Sequence, residues 1–152
     1  MGKDFKGILI CTDYDETFTS AGKIPQNNLE AVNRFMERGG LFTFSSGRGG
    51  EGSWIKSIPF VPNTANVPYS FELAMPGVNK GSGIARLRNI IKPKLPVCVG
   101  DYLGDIAMLK EADIGYAVEN AHPAVREAAD RVTVHSSKGA IAQIINDLEN
   151  SI

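Results

Sequence analysis

Few of the residues that mark a thiolate metal centre, a membrane protein or a polyanion-binding protein are present in this chain. Its 152 residues include two cysteines and two histidines, and 16 basic side chains balance 17 acidic ones. No apolar run approaches the ~20 residues of a membrane span, and residues 1–19 lack the apolar stretch of a signal peptide. Neither half has the basic excess of a nucleic-acid or membrane surface. We therefore expect a cytoplasmic protein with no nucleic-acid or membrane partner.

The cysteines also argue against a zinc site. Cys11 and Cys98 lie in apolar runs, and neither belongs to a CxxC motif or a Cys/His cluster. A reduced, buried pair is predicted instead. The hydrophobic fraction of 43% and the charged fraction of 22% are typical of a globular domain. At this length about two thirds of the chain's surface is buried on folding, so we expect a single domain over residues 1–152.

Short apolar runs alternate with segments of helical periodicity along the chain. Predicted strands cover residues 7–12, 41–44, 96–100, 114–118 and 131–134. Predicted helices cover residues 25–38, 82–91, 105–111, 123–129 and 139–148. Strands that alternate with helices require crossover connections, which favour parallel pairing. The pattern predicts an α/β fold with a three-layer parallel sheet, whose ligands would bind at the carboxyl ends of the strands.

Two acidic pairs follow apolar strands. Asp13 and Asp15 end the first strand, and Asp101 and Asp105 end a later one. Carboxylates held close together raise each other's pKa unless a cation is bound, and Mg²⁺ prefers such oxygen ligands. Each pair alone is equally compatible with a helix cap or an Asx turn. If the strands are neighbours, the two pairs together predict a magnesium site.

Two further segments offer groups that suit a phosphate. Ser45, Ser46 and Gly47 end a third strand and supply a hydroxyl and backbone N–H groups. Lys80 precedes a helix and could compensate negative charge. Taken singly, the first segment is more often a plain glycine-rich turn, and a lysine before a helix is usually solvated. We expect His122 to lie far from this set of motifs, as a surface or helix-start residue rather than a base.

The order of these segments is more specific than any one of them. DYDET, SSGR, NKGSG and VGDYLGD follow one another in the order of the four motifs of the haloacid dehalogenase superfamily, which the chain resembles over nearly its whole length. The segments GGLFTFSSGR, PGVNKGSG and GDYLGDIAMLKEADIGYAVENAHPAVREAAD resemble the Cof-type branch of sugar-phosphate phosphatases. The resemblance implies a Rossmann-like core and a Mg²⁺-dependent phosphomonoester hydrolase that acts on small phosphorylated metabolites.

The resemblance also implies roles for individual residues. Asp13 would attack phosphorus and form an aspartyl-phosphate, and Asp15 would act as the general acid and base. Ser46 and the N–H of Gly47 would bind the phosphoryl oxygens. Lys80 would neutralise charge on Asp13 and on the phosphoryl group.

The implied metal site draws on both acidic pairs. Mg²⁺ would be held by Asp13, by the backbone carbonyl of Asp15 and by Asp101. Asp105 would support the site through water or through a contact with another ligand.

Three features depart from the Cof-type pattern. Glu16 replaces a glycine, and Gly104 replaces an asparagine near the metal site. Only 31 residues separate Arg48 from Lys80, too few for the Cof-type cap domain, so we expect the cap to be absent between about residues 49 and 79. The open site could be covered by a second copy in a homo-oligomer. The alternatives are a naturally capless, oligomeric sugar-acid-phosphate phosphatase, or a cap-deleted or engineered core with weak or no activity.

Overall fold

A parallel five-stranded sheet organises the part of the chain that the computed structural model describes, residues 4–46 and 77–151. The strands are β1 (Ile8–Thr12), β2 (Leu41–Phe44), β3 (Leu95–Gly100), β4 (Ile114–Ala117) and β5 (Arg131–Val132). They are ordered β2-β1-β3-β4-β5, and every neighbouring pair is parallel. The predicted α/β fold with a parallel sheet is confirmed.

Five α-helices within these described residues cover the sheet. They are α1 (Gln26–Glu37), α2 (Lys80–Ile91), α3 (Ile106–Glu111), α4 (Pro123–Ala128) and α5 (Ala140–Ser151). Helix α1 packs against α5, whereas α2 packs against α3, which also contacts α4. This arrangement gives the two helical layers of a three-layer fold. Within the described ranges, no helix has the length and apolar character needed to cross a bilayer.

The two central strands explain why the sequence reads as continuous apolar runs. All five residues of β1 are buried, as are the last five of β3, because each strand has neighbours on both sides and helices above and below. Cys11 and Cys98 lie opposite each other in the register of these strands, buried and unbridged. A hydrogen bond with Cys11, together with burial, raises the pKa of the Cys98 thiol. The predicted reduced, buried pair is confirmed.

The helix and strand ends differ from prediction in two informative places. Helix α2 begins at Lys80 rather than at Ser82, because Asn79 caps it. The Asn79 side chain accepts from the Ser82 N–H at 2.8 Å, and the Ser82 hydroxyl accepts from the Asn79 N–H at 2.9 Å. Strand β5 ends at Val132, two residues short of the predicted end, because it pairs with β4 alone over two residues. The longer helix matters most, since it places Lys80 in a rigid first turn.

The edge strand β2 contributes an aromatic cluster. Phe42 and Phe44 stack edge to face with centroids 5.3 Å apart, and Phe44 contacts the rings of Phe18 at 5.0 Å and Tyr14 at 5.3 Å. These rings pack the acidic turn after β1 against the sheet edge. The predictions for Gly47 and Arg48, and for most of the segment between about 49 and 79, fall outside the described residues.

Candidate active site

The acidic cluster forms where β1 and β3 end side by side. Asp13 directly follows β1 and its N–H donates to the Val99 carbonyl of β3 at 2.9 Å. Asp101 directly follows β3. One carboxylate oxygen from each of Asp13, Asp101 and Asp105 lies within 4.8 Å of the others. The sheet order thus brings Asp13 of the first predicted pair together with both members of the second, Asp101 and Asp105.

Lys80 joins the cluster from the first turn of α2. Its Nζ donates to Asp13 Oδ1 at 2.6 Å and to Asp105 Oδ1 at 2.5 Å. Three carboxylates and one ammonium leave two negative charges when all four groups are ionised. Partly buried charge of this sign is costly unless a cation offsets it. The three side-chain atoms that could bind a cation are all carboxylate oxygens, a set of ligands that fits Mg²⁺.

Asp105 is the most deeply held member of the cluster. Its Oδ2 accepts from the N–H groups of Asp101 at 2.9 Å and Tyr102 at 3.0 Å, while its Oδ1 accepts from Lys80. A Cβ at Gly100 would lie 2.4 Å from the Asp105 Cβ, so only glycine permits this close approach. The loop after β3 is therefore folded around the Asp105 carboxylate, which fixes both Asp101 and Lys80.

A buried threonine orients Asp101. The Thr17 hydroxyl donates to Asp101 Oδ1 at 2.8 Å, and Thr17 itself is completely buried. Burial raises the pKa of Asp101 to about 7, with the negative charges of Asp13 and Asp105 adding to the effect and the Thr17 hydrogen bond opposing it. The Asp101 carboxyl is thus poised to exchange a proton for a cation near neutral pH.

Asp13 and Lys80 have shifted pKa values as well. Burial raises the pKa of Asp13, and the charge of Asp105 adds to this, although the hydrogen bond from Lys80 opposes it. Burial alone would lower the pKa of Lys80, but the two carboxylates that it contacts outweigh burial, and the pKa is raised. Lys80 is therefore a permanent cation at this site.

The acidic turn after β1, Tyr14–Phe18, places Asp15 half-buried at the same edge. The Asp15 carboxylate is not one of the three clustered side chains; the expected metal ligand at this position is its carbonyl. Glu16 has φ 54°, a conformation that favours the glycine it replaces. Its carbonyl accepts from Asn120 at 2.9 Å and its side chain accepts from the Ala21 N–H at 2.8 Å. These two bonds hold the turn in shape despite the substitution.

The predicted phosphate-binding segment begins at the same edge of the sheet. Thr12 and Phe44 are register partners, and the Ser45 N–H donates to the Thr12 carbonyl at 2.9 Å. Ser46 is exposed one residue further on, beside the end of β1 that carries Asp13. The position of Ser46 suits its predicted role, which stays a prediction together with that of Gly47.

Thr17, Tyr102 and His122 lie at the site but were not predicted there. The placement of His122 far from the motifs was wrong: its N–H donates to the Asp101 carbonyl at 2.8 Å, and its ring lies 5.9 Å from that of Tyr102. The helix-start interpretation is confirmed, since His122 Nδ1 accepts from the Ala124 N–H at the start of α4. The available signal was positional, because His122 lies between the carboxyl end of β4 and the start of α4, at the edge of the sheet that carries Asp101.

Fold and site together define an α/β domain whose carboxyl-edge cluster of three carboxylates and a lysine is suited to binding a divalent cation and an anion. The sequence model of the haloacid dehalogenase-like hydrolases matches residues 53–145, more than half of the chain. The chain therefore belongs to the haloacid dehalogenase-like hydrolase family.

Several curated relatives with similar sequences are phosphatases. Over 84 residues the chain is 33% identical to the 5-amino-6-(5-phospho-D-ribitylamino)uracil phosphatase of Bacillus subtilis, a match that covers 54% of this chain and 34% of the relative. Over 99 residues it is 30% identical to the phosphoglycolate phosphatase of Methanosarcina acetivorans, covering 64% of this chain and 44% of the relative. The chain thus spans less than half the length of these relatives.

Solved structures share the fold over nearly the whole chain. A haloacid dehalogenase superfamily phosphatase from Bacteroides thetaiotaomicron superposes with a TM-score of 0.76 at 14% identity, covering 98% of this chain and 96% of that one. The cobalt-bound deoxy-D-mannose-octulosonate 8-phosphate phosphatase from Haemophilus influenzae gives 0.70 at 17% identity, covering 97% and 89%. At these identities the likeness shows the fold alone.

Proposed function

We propose that this chain is a Mg²⁺-dependent phosphomonoester hydrolase that acts on small phosphorylated metabolites through an aspartyl-phosphate. The observation that carries the proposal is the cluster in which Lys80 bridges Asp13 and Asp105 beside Asp101. Such a cluster presents a carboxylate nucleophile next to fixed positive charge. Family membership and the phosphatase relatives support the same reaction.

In the proposed reaction, an Asp13 carboxylate oxygen attacks phosphorus and the bond between phosphorus and the ester oxygen breaks. Asp15 gives its proton to the departing oxygen, which leaves as an alcohol. Asp15 then takes a proton from a water molecule that attacks the phosphorus of the aspartyl-phosphate, which releases inorganic phosphate and restores Asp13. Lys80 holds Asp13 Oδ1 and so fixes the orientation of the attacking carboxylate, and Ser46 and Gly47 would bind the transferred oxygens.

The residues present fit a divalent cation. Asp13, Asp101 and the carbonyl of Asp15 would hold Mg²⁺, with Asp105 fixing the loop that carries Asp101. When bound, the ion supplies positive charge that offsets the repulsion between the carboxylates and a phosphate dianion.

The test is turnover of p-nitrophenyl phosphate with and without Mg²⁺ in the wild type and in Asp13→Asn. Turnover should require Mg²⁺ and should fall by roughly 10⁴-fold or more in the variant, which lacks the nucleophile. Asp113→Asn is the matched control, because Asp113 precedes β4 at the opposite edge of the sheet and pairs with Arg88. Undiminished turnover by Asp13→Asn would falsify the mechanism.

A second candidate is a capless, oligomeric sugar-acid-phosphate phosphatase. The observation that favours it is the superposition on 89% of the Haemophilus influenzae octulosonate phosphatase chain, which leaves little of that chain without a counterpart here. In such an oligomer a second copy of this chain would cover the active site. Selective turnover of a sugar-acid phosphate by a tetramer in sedimentation would establish this candidate, whereas a monomer active on many phosphates would favour the first.

A further inference from the structure

Two aromatic side chains stand at the rim of the candidate active site without a role in the chemistry above. Tyr102 is 63% exposed although it directly follows Asp101, and His122 is also exposed. Their rings contact each other edge to face with centroids 5.9 Å apart. A tyrosine this exposed leaves most of its ring in contact with water, which makes it a surface for another ring or an apolar group.

Both residues are fixed to the acidic cluster through their backbones. The Tyr102 N–H donates to Asp105 Oδ2 at 3.0 Å, and the other oxygen of that carboxylate accepts from Lys80, which also contacts Asp13. The His122 N–H donates to the Asp101 carbonyl at 2.8 Å. A single carboxylate therefore separates the Tyr102 backbone from the lysine that holds the proposed nucleophile.

The His122 ring is held in place as well. Its Nδ1 accepts from the Ala124 N–H at 3.2 Å, which puts the proton of the neutral ring on Nε2. Because that hydrogen bond also caps α4, the ring cannot turn away without uncapping the helix. Tyr102 thus packs against a ring of fixed orientation rather than against a mobile surface side chain.

We propose that Tyr102 and His122 form a ring-binding ledge that contacts the leaving group and favours phosphomonoesters in which a planar ring carries the ester oxygen. This inference rests on the proposed function, since the leaving group is located by a phosphoryl group at Asp13. Stacking of a planar ring on an aromatic side chain strengthens binding by about tenfold. Acyclic phosphates have no ring to place on the ledge and gain nothing from it.

The test compares binding of phenylphosphonate and methylphosphonate, which share the phosphoryl end and differ in the ring, by calorimetry with Mg²⁺ present. Wild type should prefer phenylphosphonate, and Tyr102→Ala should weaken its binding about tenfold while methylphosphonate binding stays within about twofold. Tyr102→Phe should keep the preference. Leu103→Ala is the matched control, because Leu103 is the adjacent exposed side chain, 46% accessible, and has no ring. His122→Asn retains a capping oxygen and should lose part of the preference.

Kinetics separates this inference from the function on which it rests. With phenyl phosphate, Tyr102→Ala should raise KM about tenfold and leave kcat within about threefold. Equal binding of the two phosphonates by wild type, equal losses for both in Tyr102→Ala, or no binding of either overturns the ledge. Absence of Mg²⁺-dependent turnover overturns the hydrolase proposal alone if phenylphosphonate still binds selectively through Tyr102.

Discussion

Replacing Thr17 with valine removes the hydroxyl that donates to Asp101 Oδ1 at 2.8 Å and changes the shape of the buried side chain very little. A hydrogen bond to an ionised carboxylate contributes about 1.5–3 kcal/mol. Its loss disfavours the ionised form of Asp101, whose pKa burial already raises to about 7. Because a cation binds the ionised form, we expect Mg²⁺ affinity to fall roughly 10- to 100-fold, the range found when groups that orient metal ligands are removed.

Titration calorimetry of Mg²⁺ into the wild type and Thr17→Val near pH 8 measures this loss directly. Thr19→Val is the control, since Thr19 is buried just after the same turn and its hydroxyl donates to the Tyr14 carbonyl at 3.1 Å, away from the carboxylates. Thr17→Val should lower the free energy of unfolding by about 1.5–3 kcal/mol and Thr19→Val by about 1 kcal/mol, but only Thr17→Val should weaken Mg²⁺ binding. Unchanged affinity in Thr17→Val, or equal weakening in both, would refute the orienting role of Thr17.

Three further outcomes are expected. Gly81→Ala should lower the free energy of unfolding by about 1–3 kcal/mol in urea titrations, because the added Cβ would lie 2.7 Å from the Ala107 carbonyl oxygen. Gly83→Ala adds its Cβ into open space and should raise the free energy of unfolding by up to about 1 kcal/mol. Mg²⁺ affinity measured by calorimetry should increase from about pH 6 to about pH 8 as Asp101 loses its proton. Without metal, the raised pKa of Asp101 contributes stability that is complete below the unfolded pKa of about 4 and is lost as the pH rises through about 7. Thermal unfolding of the metal-free protein measures this loss across that pH range. A melting temperature that does not change with pH contradicts the expectation.

The sheet and the acidic cluster were predictable because their signals are local. Buried strands such as β1 and β3 require unbroken apolar runs, and each run ends at an acidic residue, Asp13 or Asp101. Parallel crossovers then place both residues at one edge of the sheet, whatever the details of packing. The start of α2 was missed by two residues because Asn79 caps it through a side-chain exchange that periodicity does not register.

The residues that were missed act through contacts between distant parts of the chain. Thr17 is 84 positions from Asp101, and the sequence pattern around the two residues does not predict their hydrogen bond. The contact of His122 with the Asp101 loop depends on β4 lying next to β3, which becomes known only when the strand order is known. The direct contact of Asp105 with Lys80 likewise follows from the packing of α2 against α3.

The bridge made by Lys80 has a consequence for how the protein folds. Asp13 and Lys80 are separated by 67 positions, and Thr17 and Asp101 by 84, so the cluster assembles only after long stretches of chain have been closed into the native topology. A partly folded form that lacks α2 or β3 has no complete cluster to offer a cation. Any cation that binds here therefore stabilises the whole fold rather than one loop, and loading the site reports on completed folding.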